Sequence, residues 1–131
     1  MNIFYLDHDT KLAAQYHVDK HVCKMILESA QLLSTAHHII PSEKTDFNKI
    51  YKATHINHPC SRWTRENSQN YCWLVMLAKE LCLEYTYRYE KQHKTEEILN
   101  YLYDNYHAFP FTAISSPVLA IPDDCKVEND P

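Results

Sequence analysis

The sequence predicts an all-α, single-domain protein: a bundle of two long helices and one or two short ones, with an extended N-terminus and a C-terminal strap. Three observations lead there. Two stretches, residues 17–38 and 61–94, repeat apolar side chains at the three- and four-residue steps of a helix face. Pro41 and Pro59 stand where these stretches must stop and start, because proline breaks a helix interior yet suits its first position. Thr95 followed by Glu96 and Glu97 reads as a third helix start, with acids in the turn where free N–H groups point outward. A chain of 131 residues suffices for one hydrophobic core and is treated as one domain over 1–131.

Taken in order, residues 1–6 (MNIFYL) are short, apolar and aromatic and are expected to lie extended, with Asp7 or Asp9 available as a cap. A helical run from Lys11 leads into the central stretch, either continuously or with a break near Asp19. On a helical wheel Val18, Val22, Met25, Ile26, Ser29, Ala30, Leu32, Leu33 and Ala36 fill a broad apolar arc. His17, His21, Lys24, Glu28, Gln31 and Thr35 line a narrow polar strip on the remaining arc, which suggests the floor of a cleft. A helix buried on most of its surface leaves the same strip. The helix should end by Ile40, since Pro41 biases its predecessor away from helical geometry.

Residues 41–58 read as a connector holding a short helix near 47–53, capped by Asp46. The second long helix follows Pro59 and carries Tyr71, Leu74, Ala78, Leu81, Tyr85 and Arg88 along one face. The third helix should run from Thr95 to about Tyr106. From Phe109 the chain is punctuated by proline and ends acidic, so an extended strap is expected, with 122–131 a candidate disordered end.

Charge is unevenly placed. Residues 11–94 carry 12 Lys and Arg against 8 acids, while residues 95–131 carry one Lys against seven. The basic middle permits a nucleic-acid partner, but a pI near 6.1 lacks the mark of a DNA-coating protein. Glycine is absent, which excludes phosphate-cradling loops of the P-loop or dinucleotide type. Five scattered cysteines without a C-x-x-C pair, and an N-terminus without a basic, apolar leader, read as reduced thiols in a cytoplasmic chain. No membrane-spanning run is present, so no membrane partner is expected.

Three constellations could carry chemistry. His17 and His21 are spaced to share a metal ion, which Glu28 or His55 and His58 could complete; histidines hydrogen-bonded in a polar cleft are the alternative. Lys24 stands one turn from His21 and Glu28. Enclosed by apolar walls, it could form an imine with Glu28 as acid or base; an exposed Lys24 to Glu28 ion pair is the plainer reading. Arg62 and Arg65, interleaved with Trp63, Asn70 and Tyr71, combine phosphate pairing with stacking surfaces, and Arg88 extends that stripe. The structural alternative makes the aromatics core and pairs the arginines with Glu66 and other acids.

The combination HxDKHVxKMxLExAQLL at residues 17–33, HPCxxWxRxNxxNYxWL at 58–74 and EYxxRYxKxHK at 84–94 resembles an uncharacterised helical family of bacteriophages and large DNA viruses. The segment Leu12, Ala13, Ala14, Gln15 and the aromatic, basic run 70–94 are remotely similar to the phage-type pyrimidine-dimer DNA glycosylases. That likeness implies a small helical fold, an amine nucleophile, a helix Glu and basic residues gripping a kinked duplex. The chain departs from it at two places. Residue 2 is Asn, which leaves the Met1 amine or Lys24 as nucleophile, and Val22, Cys23 and Lys24 stand where the catalytic carboxylate belongs, which leaves Glu28 one turn further on.

The leading expectation is a protein of viral DNA metabolism, directed at nucleic acid or a nucleotide and resembling a base-excision glycosylase or lyase, with no metal or cofactor. His17, His21, Lys24 and Glu28 would carry proton transfer or imine chemistry; Arg62 and Arg65 would hold phosphate, with Trp63, Asn70, Tyr71 and Arg88 completing the substrate surface. One rival is a metal-dependent hydrolase built on His17, His21, His55 and His58. Another is a non-enzymatic viral protein that binds a host partner through its aromatic, acidic C-terminal region. The sequence leaves the oligomeric state open.

Overall fold

The computed structural model describes residue 14 and residues 19–42 and 45–105. Within them stand four α-helices, α1 (Asp19–Ile39), α2 (Pro59–Glu66), α3 (Ser68–Tyr89) and α4 (Glu96–Asp104), with one 3-10 turn at Phe47–Lys49 and no strand. The all-α expectation holds. The extended N-terminus, His17, the junction before Asp19 and the C-terminal strap lie outside the described residues.

In α1 the apolar arc read from the sequence is the buried face: Val22, Met25, Ile26, Ser29, Ala30, Leu32, Leu33 and Ala36 are all sealed. The Ile40 amide still donates to the Ala36 carbonyl at 2.9 Å, after which Pro41 turns the chain away. α1 packs against α2, α3 and α4, so most of its circumference is covered. That contact set is why its polar arc is narrow.

The pattern taken as one long helix from Pro59 is two. Asn67 adopts an extended conformation (φ −159°, ψ 168°) and its side chain accepts a hydrogen bond from the Asn70 amide at 2.8 Å, capping α3 as α2 ends. At the far end α3 stops at Tyr89 because Glu90 takes the left-handed conformation (φ 56°, ψ 34°), the role a glycine would ordinarily fill in a chain that has none. His93 and Lys94, expected on the helix, therefore lie beyond it.

The connector was expected to hold a helix to Ala53, and it supplies a single 3-10 turn. Asp46 caps it as expected, with Oδ1 accepting from the Asn48 amide at 3.0 Å. Past Lys49, side chains of α1 take the backbone groups that a longer helix would bond internally. Ser34 Oγ accepts from the Tyr51 amide, His38 Nε2 donates to the Tyr51 carbonyl, and Thr35 Oγ1 accepts from the Thr54 amide at 3.0 Å. α4 also starts differently from expectation. Thr95 makes no side-chain cap; its hydroxyl bonds Tyr51 Oη at 2.9 Å, while His93 Nδ1 accepts from the Thr95 amide at 3.1 Å.

The core gathers Met25, Ile26, Leu32 and Leu33 of α1, Trp63 of α2, Tyr71, Leu74, Leu77 and Leu81 of α3, and Leu99 and Leu102 of α4. Each such aliphatic side chain contributes roughly 1.5–3 kcal/mol by leaving water.

Candidate functional site

The polar strip of α1 changes character along its length. His21 and Glu28 are half-buried, Lys24 is exposed, Gln31 is half-buried, and Thr35 is sealed beneath Thr54. Lys24 thus lacks the apolar walls that imine chemistry was expected to need, because its side chain points off the bundle. No ion pair joins Lys24 to Glu28 among the described residues.

The pinned Thr54 leads straight into the second cluster. His55 turns the chain with φ 50°, its carbonyl accepts from the His58 amide at 3.0 Å, and the His58 side chain caps α2 by taking the Cys60 amide on Nδ1 at 3.1 Å. Pro59 then occupies the first helical position, as its fixed φ favours. One turn after His58 stands Arg62, exposed, with Nη2 3.4 Å from Asn57 Oδ1. Arg65 is half-buried and donates from Nη1 to Ser61 Oγ at 3.3 Å. Burial, and then the positive charge of Arg62, depress the Arg65 guanidinium below its ordinary value.

No ion pair among the described residues involves Arg62 or Arg65, so the pairing with Glu66 does not form. The run 47–65 contains Lys49, Lys52, Arg62 and Arg65 and no acid at all. Two guanidinium groups that feel each other's charge, near His55, His58 and Asn57, give this stretch a local excess of positive charge. The acid-free run could have been counted in the sequence. That Arg65 is partly withdrawn from water could not.

The remaining expected binding residues are structural. Trp63 and Tyr71 are 1 % and 0 % exposed, so neither ring can stack on a base. Trp63 packs edge-on against Trp73 with ring centroids 6.1 Å apart. Tyr71 donates its hydroxyl proton to the Leu102 carbonyl at 2.6 Å. Its oxygen lies 2.7 Å from His37 Nε2, and since that proton is committed, the imidazole is the donor. Asn70 is sealed and donates from Nδ2 to the Trp63 carbonyl at 2.8 Å, bridging the α2 to α3 break. Arg88 is held by Glu84 in an i,i+4 pair at 2.9 Å.

The histidine metal set is not assembled by its described members. Among the described residues no three His, Cys, Asp or Glu side chains converge, so His21, His55 and His58 do not form one ligand set; His17 lies outside. Nor does a hydrogen bond among these residues join His21, Lys24 or Glu28 to Arg62 or Arg65, and the two clusters connect through the Thr35 to Thr54 pin.

Two concavities flank α4. One of about 300 Å³ lies between α3 and α4, and one of about 740 Å³ between α4 and residues 48–51. Neither is lined by the strip or the arginines. Sequence reasoning missed a further pair: exposed Cys23 lies 3.9 Å from His93 Nε2, across 70 residues of chain. Burial, and then Lys94, hold the His93 imidazole below its ordinary value. Its Nδ1 already accepts the Thr95 amide, so the neutral ring carries its proton on Nε2, facing the sulfur, and is no base for that thiol.

No helix among the described residues is long and apolar enough to cross a membrane. Comparison with family models, curated proteins and solved structures gives no match.

Proposed function

We propose that this chain is a nucleic-acid-directed protein whose phosphate contact is the Arg62 and Arg65 pair. One observation carries the reading: two neighbouring guanidinium groups, one of them half-buried, without an acidic partner among the described residues. Guanidinium matches phosphate oxygens in pairs, and a site that keeps two of them together unneutralised gains most from an anion that neutralises both. His55 and His58 lie beside the same surface, at the turn that leads into α2. The resemblance to proteins of bacteriophages and large DNA viruses supports viral DNA metabolism as the setting. Trp63, Tyr71 and Asn70 have no part in it, because all three are spent on the core.

The binding test is fluorescence anisotropy with labelled duplex and single-stranded oligonucleotides over a range of salt. For duplex, replacing both arginines by glutamine should flatten the dependence of log affinity on log salt by about 1.8, since each phosphate contact contributes about 0.9. Arg88→Gln should leave the slope alone, its charge being spent on Glu84. An unchanged slope in the double glutamine variant would sink the proposal. A glycosylase or lyase activity built on His17, His21, Lys24 and Glu28 is a separate reading, against which the exposure of Lys24 counts. Borohydride trapping on an abasic duplex tests it: an adduct lost in Lys24→Ala supports the imine, and the absence of any adduct removes it.

A further inference from the structure

The hollow of about 740 Å³ between α4 and residues 48–51 has the make-up of a ligand groove. Its floor is four half-buried side chains, Ile50 and Tyr51 from the connector and Ile98 and Tyr101 from α4. Both tyrosines are anchored at their hydroxyls. Tyr51 Oη bonds Thr95 Oγ1 at 2.9 Å, and Tyr101 Oη accepts from the Asp46 amide at 2.7 Å, so each phenol is held at its far end while its ring lines the hollow. The Lys49 ammonium stands over the Tyr101 ring, 5.6 Å from its centroid, which shows that this face is turned toward the connector.

The rim is exposed and polar, and its two sides differ in charge. Asn48 and Lys49 stand on the connector side. Glu97, Asn100 and Asp104 stand on the α4 side, and steps of four and three from 97 to 101 to 104 put the two carboxylates one turn either side of the Tyr101 ring. Three conditions on a ligand follow. Fixed ring faces select a flat one, and amides on both rims select one with a hydrogen-bonding edge. A cation facing two acceptor-only carboxylates selects one that is anionic at one end and carries amine donors at the other. An inorganic anion meets neither of the first two conditions, and an apolar side chain neither of the last two. A nucleotide meets all three.

We infer that this groove takes a single unpaired nucleobase, stacked on the Tyr101 ring, with its amine edge toward Glu97 and Asp104 and its phosphate toward Lys49. Such a site extends the nucleic-acid reading of Arg62 and Arg65, on which it rests, from backbone to base. Lys49 and Lys52 begin the acid-free run that those arginines end, so one strand can follow it. The groove also returns a stacking surface to the chain after Trp63 and Tyr71 are lost to the core. Stacking on an aromatic ring is stronger than an exposed cation–π contact, so the incoming base displaces the Lys49 ammonium from the ring to the rim, where it meets the phosphate. Carboxylates accept hydrogen bonds and donate none. Adenine and cytosine, which carry exocyclic amines, are therefore favoured over thymine.

The test is heteronuclear NMR titration of the full chain with free deoxyadenosine, deoxycytidine and thymidine, which carry a base and no phosphate. The amides of residues 48–51 and 97–104 should shift with the first two nucleosides. Tyr101→Phe keeps the ring and should keep the binding, whereas Tyr101→Leu should weaken it by about tenfold. Asn100→Trp, at an exposed rim position, obstructs the groove without touching the core and should abolish binding; circular dichroism verifies that each variant is folded. R62Q/R65Q removes no part of the groove and should bind nucleosides like its parent, so the two readings fail separately. A chain whose groove amides respond to no nucleoside overturns the proposal even if oligonucleotides bind through the arginines. So does nucleoside binding that survives both Tyr101→Leu and Asn100→Trp. Thymidine bound as tightly as deoxycytidine overturns the role given to Glu97 and Asp104.

Discussion

Tyr71→Phe separates the core role assigned to this ring from the stacking role its sequence suggested. The substitution keeps the ring and removes one oxygen, which donates at 2.6 Å to the Leu102 carbonyl and accepts from His37 Nε2 at 2.7 Å. The carbonyl retains the longer bond from the Asn105 amide at 3.3 Å, whereas the imidazole N–H loses this acceptor inside the bundle. Losing one buried hydrogen bond costs about 1 kcal/mol, and stranding a buried donor adds about 1–2 kcal/mol, so a total near 2–3 kcal/mol is expected. An unfolding entropy of about 2.1 cal/mol/K per residue over this chain converts that to a Tm lower by about 7–11 °C. Differential scanning calorimetry and urea titration measure it. Oligonucleotide affinity below the transition should be unchanged. A variant as stable as its parent but weaker in binding would refute the core assignment.

Two further predictions follow from local geometry. Glu90→Gly removes the penalty of a left-handed β-carbon and should raise stability by about 0.5–1 kcal/mol after the extra unfolded-state freedom of glycine is allowed for; a lower urea midpoint would contradict the cap geometry. The second concerns acid stability. His93 is held below its ordinary value of 6.5 in the folded chain, so on acidification the unfolded chain binds the proton first. Its contribution is present above pH 6.5 and is lost as pH falls through the window below it. His93→Asn retains an acceptor for the Thr95 amide without titrating. The stability gap between parent and variant should therefore narrow towards acid, as read by urea midpoints at a series of pH values.

Much of the architecture was legible because its causes are local. The buried arc of α1 was readable from spacing alone, since a helix that packs on three neighbours must place its apolar residues at those angles. Asp46, Pro59 and Pro41 act within a few residues of themselves, and they stand where expected. The break at Asn67 was the costly miss. An asparagine can cap a helix or ride within one, and one extended residue rotates everything before it relative to everything after. Proximity in the chain grouped Trp63 and Tyr71 with Arg62 and Arg65, and the aromatics looked available when they are sealed.

For the candidate site, composition and spacing supplied the inventory: which side chains share α1's narrow strip, that residues 47–65 hold four cations and no acid, and that helices must end without glycine. Composition, period and capping depend on neighbours in the chain, so they can be read from it. Tertiary structure decided accessibility and partnership. It sealed Trp63 and Tyr71, exposed Lys24, committed Arg88 to Glu84, and left Arg62 and Arg65 without an acid among the described residues. The contacts responsible reach from His37 to Tyr71, from Tyr51 to Thr95 and from Cys23 to His93. Distances of that kind depend on how the helices dock, and helix docking is set by the whole core at once.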